Sequence, residues 1–378
     1  MLSARLAAVC RSATLLVFCL IFACRQQTPA DTPPRSLVAP SHRHLRYVGY
    51  IDDRDPQAYR FAWTGVQVAT RFTGTELTLL LDHSLPPGVD TTRASYYRAE
   101  IDGMVTIFRA KSPSGRYPLA RRLRKGIHTF ELFKLTEAET GVDVFRGLEL
   151  GRGDSLMAPP PETARLLLCF GNSITCGYGN RGSGPDCDFS PETEDGYHSY
   201  AAIAARTLQA AYVAVAYSGR GGYQNYSRTR TGTLPQLYDK VVPGEDLAWD
   251  MQRTQPAAIL INLGTNDFAH ANPDSAAFVG AYLDFVGRLR QHYPDVPIVC
   301  LTGSMMQNQG VRQPLATLQR YLAAVQTARR DGGDAQLYRF DLSPQGSLGY
   351  GCDWHPSLEQ HAHNAAELVA FLRDELGW

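Results

Sequence analysis

Ser173 is the residue of this sequence whose surroundings best suit nucleophilic chemistry. It follows the apolar run 166–170 and the dipeptide Gly171-Asn172. A short apolar run that ends in this way is typical of a buried parallel strand, which presents the next side chain at the carboxyl edge of a sheet, where α/β folds bind ligands. Most serines in such places only cap a helix, so Ser173 alone does not establish catalysis.

Two later apolar runs end in residues that acyl-transfer chemistry could use. The run 212–217 leads to Gly219 in a glycine-rich turn, and the run 259–263 leads to Asn266. Because the carboxyl ends of parallel strands lie at one edge of a sheet, these residues should meet Ser173 there. A serine hydroxyl, a closely approaching backbone N–H and an asparagine amide make a nucleophile with its oxyanion hole.

His355 supplies the base that this set of residues lacks. It lies in the segment 351–356, after the last predicted strand, where an imidazole can reach the same edge and take the proton of a serine hydroxyl. The imidazole nitrogen of His355 that does not face Ser173 must donate a hydrogen bond to an acceptor, which holds the ring in one tautomer. We favour the carboxylate of Asp353 and keep a backbone carbonyl as the alternative. Asp267, which follows Asn266, is assigned a structural role.

The elements that position these residues alternate along the chain. Beyond the Pro-rich boundary at 158–161, the predicted strands are 164–170, 212–217, 257–263, 297–302 and 336–341, and the predicted helices lie near 197–210, 275–292, 313–331 and 356–375. Such alternation predicts a parallel sheet with helices on both faces. Residues 163–378 should therefore form a three-layer α/β/α domain.

The preceding part, residues 45–155, has short runs of period-two alternation separated by turn residues. The dipeptide Asp102-Gly103 between two of these runs is a strong hairpin signal. Because helical periodicity of useful length does not interrupt the region, it is predicted to be an antiparallel, jelly-roll-like β-sandwich. The sandwich either binds carbohydrate through exposed aromatic side chains or only supports the second domain.

Residues 1–24 are predicted to be a targeting segment. Arg5 and Arg11 precede an apolar run too short to span a bilayer, and this run ends at Cys24 in a pattern that resembles the lipobox of bacterial lipoproteins. We therefore expect an extracytoplasmic protein that is either lipid-anchored at the bacterial cell envelope through Cys24 or simply secreted, with no other membrane contact. The polar, Pro-rich stretch 25–44 is expected to be a tether.

The composition is that of a folded globular protein of 378 residues, with 44% hydrophobic and 20% charged residues. Lys and Arg together number 37, as do Asp and Glu, and this balance argues against a nucleic-acid partner. The sequence has no CxxC pair, no Cys/His spacing that suggests a metal site, and no GxGxxG motif directly after a strand. We therefore expect neither a metal nor another cofactor.

Cysteines outside the targeting segment fall into two groups. Cys169 and Cys300 lie in apolar runs and are predicted to be buried thiols. Cys187 lies in a polar insert after the nucleophile and Cys352 precedes the histidine, so both should border the same edge of the sheet. Export would permit a disulfide between these two that holds the histidine. Cys176 is the rival partner, and three free thiols are the alternative.

Four blocks together resemble the SGNH, or GDSL-like, hydrolases over about 165–378: Gly171-Asn172-Ser173-Ile174-Thr175, Gly219, Gly264-Thr265-Asn266-Asp267 and Asp353-x-His355. In finer detail the sequence resembles carbohydrate esterase family 2, through Cys176-Gly177-Tyr178-Gly179, Ser218-Gly219-Arg220-Gly221, Ile261-Asn262-Leu263-Gly264-Thr265-Asn266-Asp267 and Asp353-Trp354-His355-Pro356. That family also carries a β-sandwich ahead of the hydrolase domain. The resemblance implies removal of acetyl groups from plant polysaccharides such as xylan and mannan.

The resemblance also implies a role for each residue of the site. Ser173 is the nucleophile, and His355 is the general base. The backbone amides of Ser173 and Gly219 and the side chain of Asn266 form the oxyanion hole. The wider group has its acid three residues before the histidine, whereas Asp353 stands two residues before it.

The expected substrate is an acetylated polysaccharide or oligosaccharide, with Trp354 and Arg220 as predicted contacts. Two other functions stay open. One is a lysophospholipase or thioesterase on the same scaffold, which would need a long apolar groove, although the segment 180–186 beside the nucleophile is polar and small. The other is a polysaccharide-binding lipoprotein without catalysis.

Overall fold

The computed structural model describes residues 35–85, 92–110 and 113–378. The predicted targeting segment with its Cys24, and residues 25–34 of the predicted tether, lie outside the described residues. Within the described ranges, no helix is long and apolar enough to cross a membrane.

The first part of the described chain consists of antiparallel strands. They are β1 (Ser36–Val38), β2 (Arg46–Val48), β3 (Tyr59–Phe61), β4 (Gln67–Gly74), β5 (Leu77–Ser84), β6 (Tyr96–Ile101), β7 (Met104–Arg109), β8 (Ser114–Ala120), β9 (Gly126–Lys134), β10 (Val142–Leu150) and β11 (Leu156–Met157). One sheet has the order β1-β10-β5-β8, with β3 beside β10, and the other has the order β11-β4-β9-β6-β7, with β2 beside β4. The predicted antiparallel sandwich is confirmed.

The alternation in these strands explains the two layers. In β5, the side chains of Leu77, Leu79 and Leu81 are fully buried, which is the pattern of a strand with one face on the core. The dipeptide Asp102-Gly103 joins β6 to β7 with positive φ at both residues, as a tight hairpin turn requires.

The sandwich begins earlier than the sequence predicts. Residues 36–38, assigned to the tether, form β1 and pair with β10. The pairing depends on backbone hydrogen bonds and on Arg35, whose guanidinium contacts Glu76 and Glu149, while Leu37 is 64% exposed. A strand held in this way leaves no apolar periodicity in the sequence, and for this reason the tether prediction was wrong here.

The second part is a five-stranded parallel sheet covered by helices. Its strands are β12 (Leu166–Gly171), β13 (Ala211–Ala216), β14 (Ala258–Ile261), β15 (Ile298–Thr302) and β16 (Leu337–Asp341), and its helices are α1 (Ser173–Cys176), α2 (Tyr200–Thr207), α3 (Leu234–Leu237), α4 (Ser275–His292), α5 (Pro314–Asp331) and α6 (Leu358–Leu376). The strand order is β13-β12-β14-β15-β16. The predicted three-layer fold is confirmed, and the predicted strands match within a few residues.

The central strand β12 shows why helices lie on both faces. Leu167 and Cys169 pack with the buried residues of α2 and α6, whereas Leu168 and Phe170 pack with those of α4 and α5. Because alternate side chains of a strand point to opposite faces, a run that is apolar at every position must be covered twice. The continuous apolar character of β12 therefore fixes its place in the middle layer.

Sandwich and hydrolase domain share one core, within the compact unit formed by Arg35–Trp378. The ring of Tyr50 stacks on Trp249 with centroids 4.8 Å apart. The indole N–H of Trp63 donates to the carbonyl oxygen of Lys240 over 2.8 Å. Buried aromatic side chains thus join the two parts.

Candidate active site

Ser173 stands at the carboxyl end of β12, at the first position of the single-turn helix α1. The side-chain oxygen of Asn172 accepts a hydrogen bond from the N–H of Ile174 over 3.1 Å and caps this helix. Gly177, with a φ of 77°, ends it in the left-handed conformation. The chain therefore turns sharply on both sides of Ser173 and holds its hydroxyl at the sheet edge.

His355 lies over this hydroxyl. Its Nε2 is 2.9 Å from Oγ of Ser173, and its Nδ1 is 2.9 Å from the carbonyl oxygen of Asp353. Since a carbonyl can only accept, Nδ1 carries the proton and Nε2 is left to accept one from the serine. Burial lowers the pKa of His355 to about 4, so the ring is neutral at neutral pH and Nε2 keeps a free lone pair.

The Asp353 carboxylate does not take the position predicted for it. Its Oδ2 accepts hydrogen bonds from the hydroxyl of Tyr178 over 2.9 Å and from the N–H of Phe189 over 3.2 Å. Asp353 and Trp354 have φ values of 49° and 59°, and this left-handed turn directs the carbonyl of Asp353, not its side chain, at the ring. The predicted contact between carboxylate and ring is therefore wrong, and the backbone alternative is found.

The segment 351–356, hereafter the histidine loop, is tied to the insert that follows the nucleophile. Cys187 and Cys352 form a disulfide, with Cα atoms 4.7 Å apart. The N–H of Cys352 also donates to the carbonyl oxygen of Gly179, and that of Asp353 to the carbonyl oxygen of Cys187. Cys176, the rival partner, is a buried free thiol.

The predicted oxyanion residues lie in the same cavity as Ser173 and His355. The cavity has a volume of about 710 Å³, and its lining includes Gly219 and Asn266 as well as Ser173 and His355. Gly219 has a φ of 74°, a conformation that favours glycine. The amide nitrogen of Asn266 donates one hydrogen to the carbonyl oxygen of Arg220 over 2.8 Å, which fixes the side chain and leaves its second hydrogen for a ligand.

The two predicted substrate contacts are not among the described residues that line this cavity. Trp354 is 56% exposed and lies edge-on to Tyr350, immediately beside the base. The guanidinium of Arg220 lies over the ring of Tyr217, 4.7 Å from its centroid. The structure therefore leaves both outside the pocket around the nucleophile.

Comparisons with known proteins agree with this architecture. Residues 47–160 match the carbohydrate esterase 2 N-terminal family, and residues 169–363 match the GDSL-like lipase/acylhydrolase family. A solved family two carbohydrate esterase from Clostridium thermocellum, in complex with cellohexaose, is 33% identical with a TM-score of 0.82, covering 88% of this chain and 99% of that one. The chain belongs to carbohydrate esterase family 2.

Two curated relatives extend this comparison. The cellulase/esterase CelE of Acetivibrio thermocellus is 34% identical over 354 residues, which are 93% of this chain but only 41% of the relative. An acetylxylan esterase/glucomannan deacetylase of Cellvibrio japonicus is 27% identical and covers 90% of this chain and 91% of its own length.

Asp267 has the structural role expected for it. Its carboxylate accepts hydrogen bonds from the N–H groups of Gly222, Tyr223 and Gln224 over 3.0, 2.7 and 2.8 Å. It thereby holds the far end of the segment 218–224, hereafter the oxyanion loop. Burial raises the pKa of Asp267 to about 6, and the three N–H donors limit the rise.

The residues that the sandwich adds to the site could not be predicted from the sequence. Arg93 and Glu139 line the cavity and form an ion pair 3.0 Å long, and Glu137 contacts the oxyanion loop. These three residues lie in loops of the sandwich, far in sequence from every motif of the hydrolase domain. Only information on which distant residues contact each other could have indicated them, and a single sequence does not contain such information.

Proposed function

We propose that this esterase removes O-acetyl groups from plant polysaccharides of the xylan or mannan type, through an acyl-enzyme on Ser173. The observation that carries the proposal is the 2.9 Å contact between Ser173 Oγ and the basic Nε2 of His355, in a cavity that also holds Gly219 and Asn266. The names of its relatives support the acetyl group and the polysaccharide.

Acylation follows from this geometry. His355 Nε2 takes the hydroxyl proton of Ser173 as Oγ attacks the acetyl carbon. The negative charge on the carbonyl oxygen is stabilised by the N–H groups of Ser173 and Gly219 and by the Asn266 amide. The C–O bond to the sugar then breaks, and the sugar oxygen takes the proton from Nε2.

Deacylation repeats the sequence with water as the nucleophile. His355 takes a proton from water, the oxygen attacks the acetyl-serine, and acetate leaves as the proton returns to Oγ of Ser173. Throughout, the Nδ1–H of His355 donates to the carbonyl of Asp353, which keeps the ring in one tautomer. Ser173 and His355 thus act as a dyad supported by the backbone.

The alternatives are less well supported. A lysophospholipase or thioesterase would need a long apolar groove, whereas Arg93, Glu139 and Arg312 line this cavity. A binding protein without catalysis would not need a neutral imidazole in contact with a serine hydroxyl. The relatives' names favour neither alternative.

Acetate release from acetylated xylan and glucomannan, with a chromogenic acetyl ester beside a long-chain ester, tests the proposal. Ser173→Ala should abolish turnover while circular dichroism and the Tm stay near those of the wild type. Ser183→Ala, at an exposed serine of the polar insert, is the matched control and should keep full activity. Turnover by folded Ser173→Ala, or a preference for the long-chain ester, would contradict the proposal.

We also propose that the enzyme works outside the cytoplasm, as its polymeric substrate requires. The sequence of residues 1–24 supports export, with lipidation at Cys24 as one form and simple secretion as the other. Mass spectrometry of the mature N-terminus distinguishes the two, because only a lipoprotein would begin at a diacylglyceryl-modified Cys24.

A further inference from the structure

Glu137 makes an unusual contact across the boundary between the two domains. It follows β9 in the sandwich, and its carboxylate accepts two hydrogen bonds from Ser218 of the oxyanion loop. One comes from the backbone N–H of Ser218 over 2.7 Å, and the other comes from its hydroxyl. The Glu137 side chain is fully buried, so water does not compete for these bonds.

This contact bears directly on the oxyanion hole, because Ser218 precedes Gly219. The N–H of Gly219 belongs to the peptide that joins these two residues, and its direction follows the backbone torsions of Ser218. A carboxylate that binds both donors of Ser218 fixes the position and orientation of this residue, from which the peptide to Gly219 starts. We propose that Glu137 of the sandwich is a positioning residue, which aims the Gly219 N–H at the developing oxyanion through Ser218. The proposal deepens the proposed function and rests on it.

Glu137 is itself held rigidly. Its N–H donates to Oε2 of Glu194 over 3.1 Å, and its carbonyl oxygen accepts from Nζ of the buried Lys134 over 3.3 Å. Both backbone groups of Glu137 are thus fixed, so its carboxylate can serve as a reference point for a loop of the other domain. Supporting contacts of this kind are what keep catalytic geometry within a fraction of an ångström.

Glu194 lies beside Glu137 as a second buried acid. A carboxylate oxygen of each, together with Sγ of Cys176, lies within 4.8 Å of the others. Burial and the neighbouring carboxylate raise the pKa of Glu194 well above its usual range, so Glu194 stays protonated. Burial raises the pKa of Glu137 to about 7, and the two hydrogen bonds from Ser218 limit this rise, so Glu137 is the member of the pair that ionises first.

The same three side chains could be taken for metal ligands. However, each carboxylate oxygen of Glu137 already accepts a hydrogen bond from Ser218. A positioning role uses both oxygens of Glu137 as they stand, each bound to a donor of Ser218. The geometry therefore favours the contact with the oxyanion loop.

The test compares Glu137→Ala and Glu137→Gln with the wild type in two assays. The first measures kcat and KM on a chromogenic acetyl ester, and the second measures the rate at which a fluorophosphonate labels Ser173. Glu137→Ala should lower kcat and the labelling rate about 10²-fold, the effect of displacing a catalytic group by about an ångström, with KM little changed. Glu137→Gln retains one acceptor for Ser218 and should lose only about tenfold.

Asp52→Asn is the matched control, since Asp52 is another buried acid of the sandwich, paired with Arg54 and Arg60. It should lower the Tm but leave kcat unchanged. Ser218→Ala combined with Glu137→Gln should cost no more than the larger single loss, because both act through one contact.

Folded Glu137→Gln with the wild-type kcat and labelling rate would overturn the proposal, as would additive losses in the double variant. If Glu137→Ala does not fold, the kcat and labelling rate of Glu137→Gln and of the double variant test the proposal instead. A wild type that is labelled at Ser173 but releases no acetate would refute the proposed function alone, because the labelling rates still measure the positioning by Glu137.

Discussion

The two loops that meet at Ser173 are held by different kinds of interaction. The histidine loop depends on backbone hydrogen bonds and on a disulfide, and its base donates to a carbonyl oxygen. The oxyanion loop depends on two buried carboxylates, Glu137 at its start and Asp267 at its end. The acid beside the histidine, Asp353, binds the hydroxyl of Tyr178 and the N–H of Phe189 and not the imidazole ring.

This difference shows where the site uses negative charge. A carboxylate next to His355 would raise the basicity of the ring, but a neutral carbonyl suffices to fix its tautomer. The oxyanion loop has several backbone N–H groups to satisfy in a buried place, and carboxylates can accept more than one each. We therefore expect the acids behind the oxyanion loop to matter more than the acid beside the base.

The largest effect within this comparison should come from Asn266, the side-chain donor at the oxyanion site. Asn266→Ala should lower kcat by about 10²–10³-fold with little change in KM, which is the usual cost of one oxyanion donor. Steady-state kinetics on the acetyl ester measure both constants. A rise in KM with kcat unchanged would show that Asn266 binds the ground state and does not specifically stabilise the transition state.

The raised pKa of Asp267, at the end of the oxyanion loop, makes the stability of the protein depend on pH. Its pKa rises from 3.8 to about 6 on folding, so the stability associated with its protonated form is fully present below about pH 4 and is lost as the pH rises through 6. The loss is about 3 kcal/mol, from a shift of about two units. Asp267→Asn lacks this titration, so its deficit in unfolding free energy against the wild type should shrink between pH 4 and 6.

Urea unfolding of both proteins across this pH range measures that gap. A deficit that stays constant would mean that the pKa of Asp267 is not raised in the folded state.

The smallest effect should come from the histidine loop. Asp353→Ala leaves the backbone carbonyl that orients His355, so it should retain more than about a tenth of the wild-type kcat, far from the 10⁴-fold loss of a triad acid. The same ester assay measures the ratio. A loss of several orders of magnitude in a folded variant would show that the carboxylate, not the carbonyl, supports the base.

Much of the site could be predicted because it depends on strand ends. Parallel strands finish at one edge, so the apolar runs before Ser173, Gly219 and Asn266 were enough to place these residues together, and the segment after β16 added His355. The same placement favoured the pairing of Cys187 with Cys352, which the structure contains, over the rival Cys176.

The remaining features depend on interactions that leave no local pattern. The left-handed turn at Asp353 and Trp354 contains no glycine that would mark it, so the sequence could not indicate which group faces the ring. Glu137 meets Ser218 across 81 positions of sequence. β1 is held by backbone pairing and by the ion pairs of Arg35, so the hydrophobic pattern did not reveal it.

The stacking of Tyr50 on Trp249 has a consequence for how this enzyme can be inherited and rearranged. A module that recombines freely among proteins needs a boundary that can be cut without exposing apolar surface, and the boundary here is a continuous core. The unit of exchange is then the sandwich and hydrolase domain together. In the Acetivibrio relative, the aligned stretch takes in 93% of this chain yet makes up only 41% of that protein, as expected if the pair is joined to other domains whole.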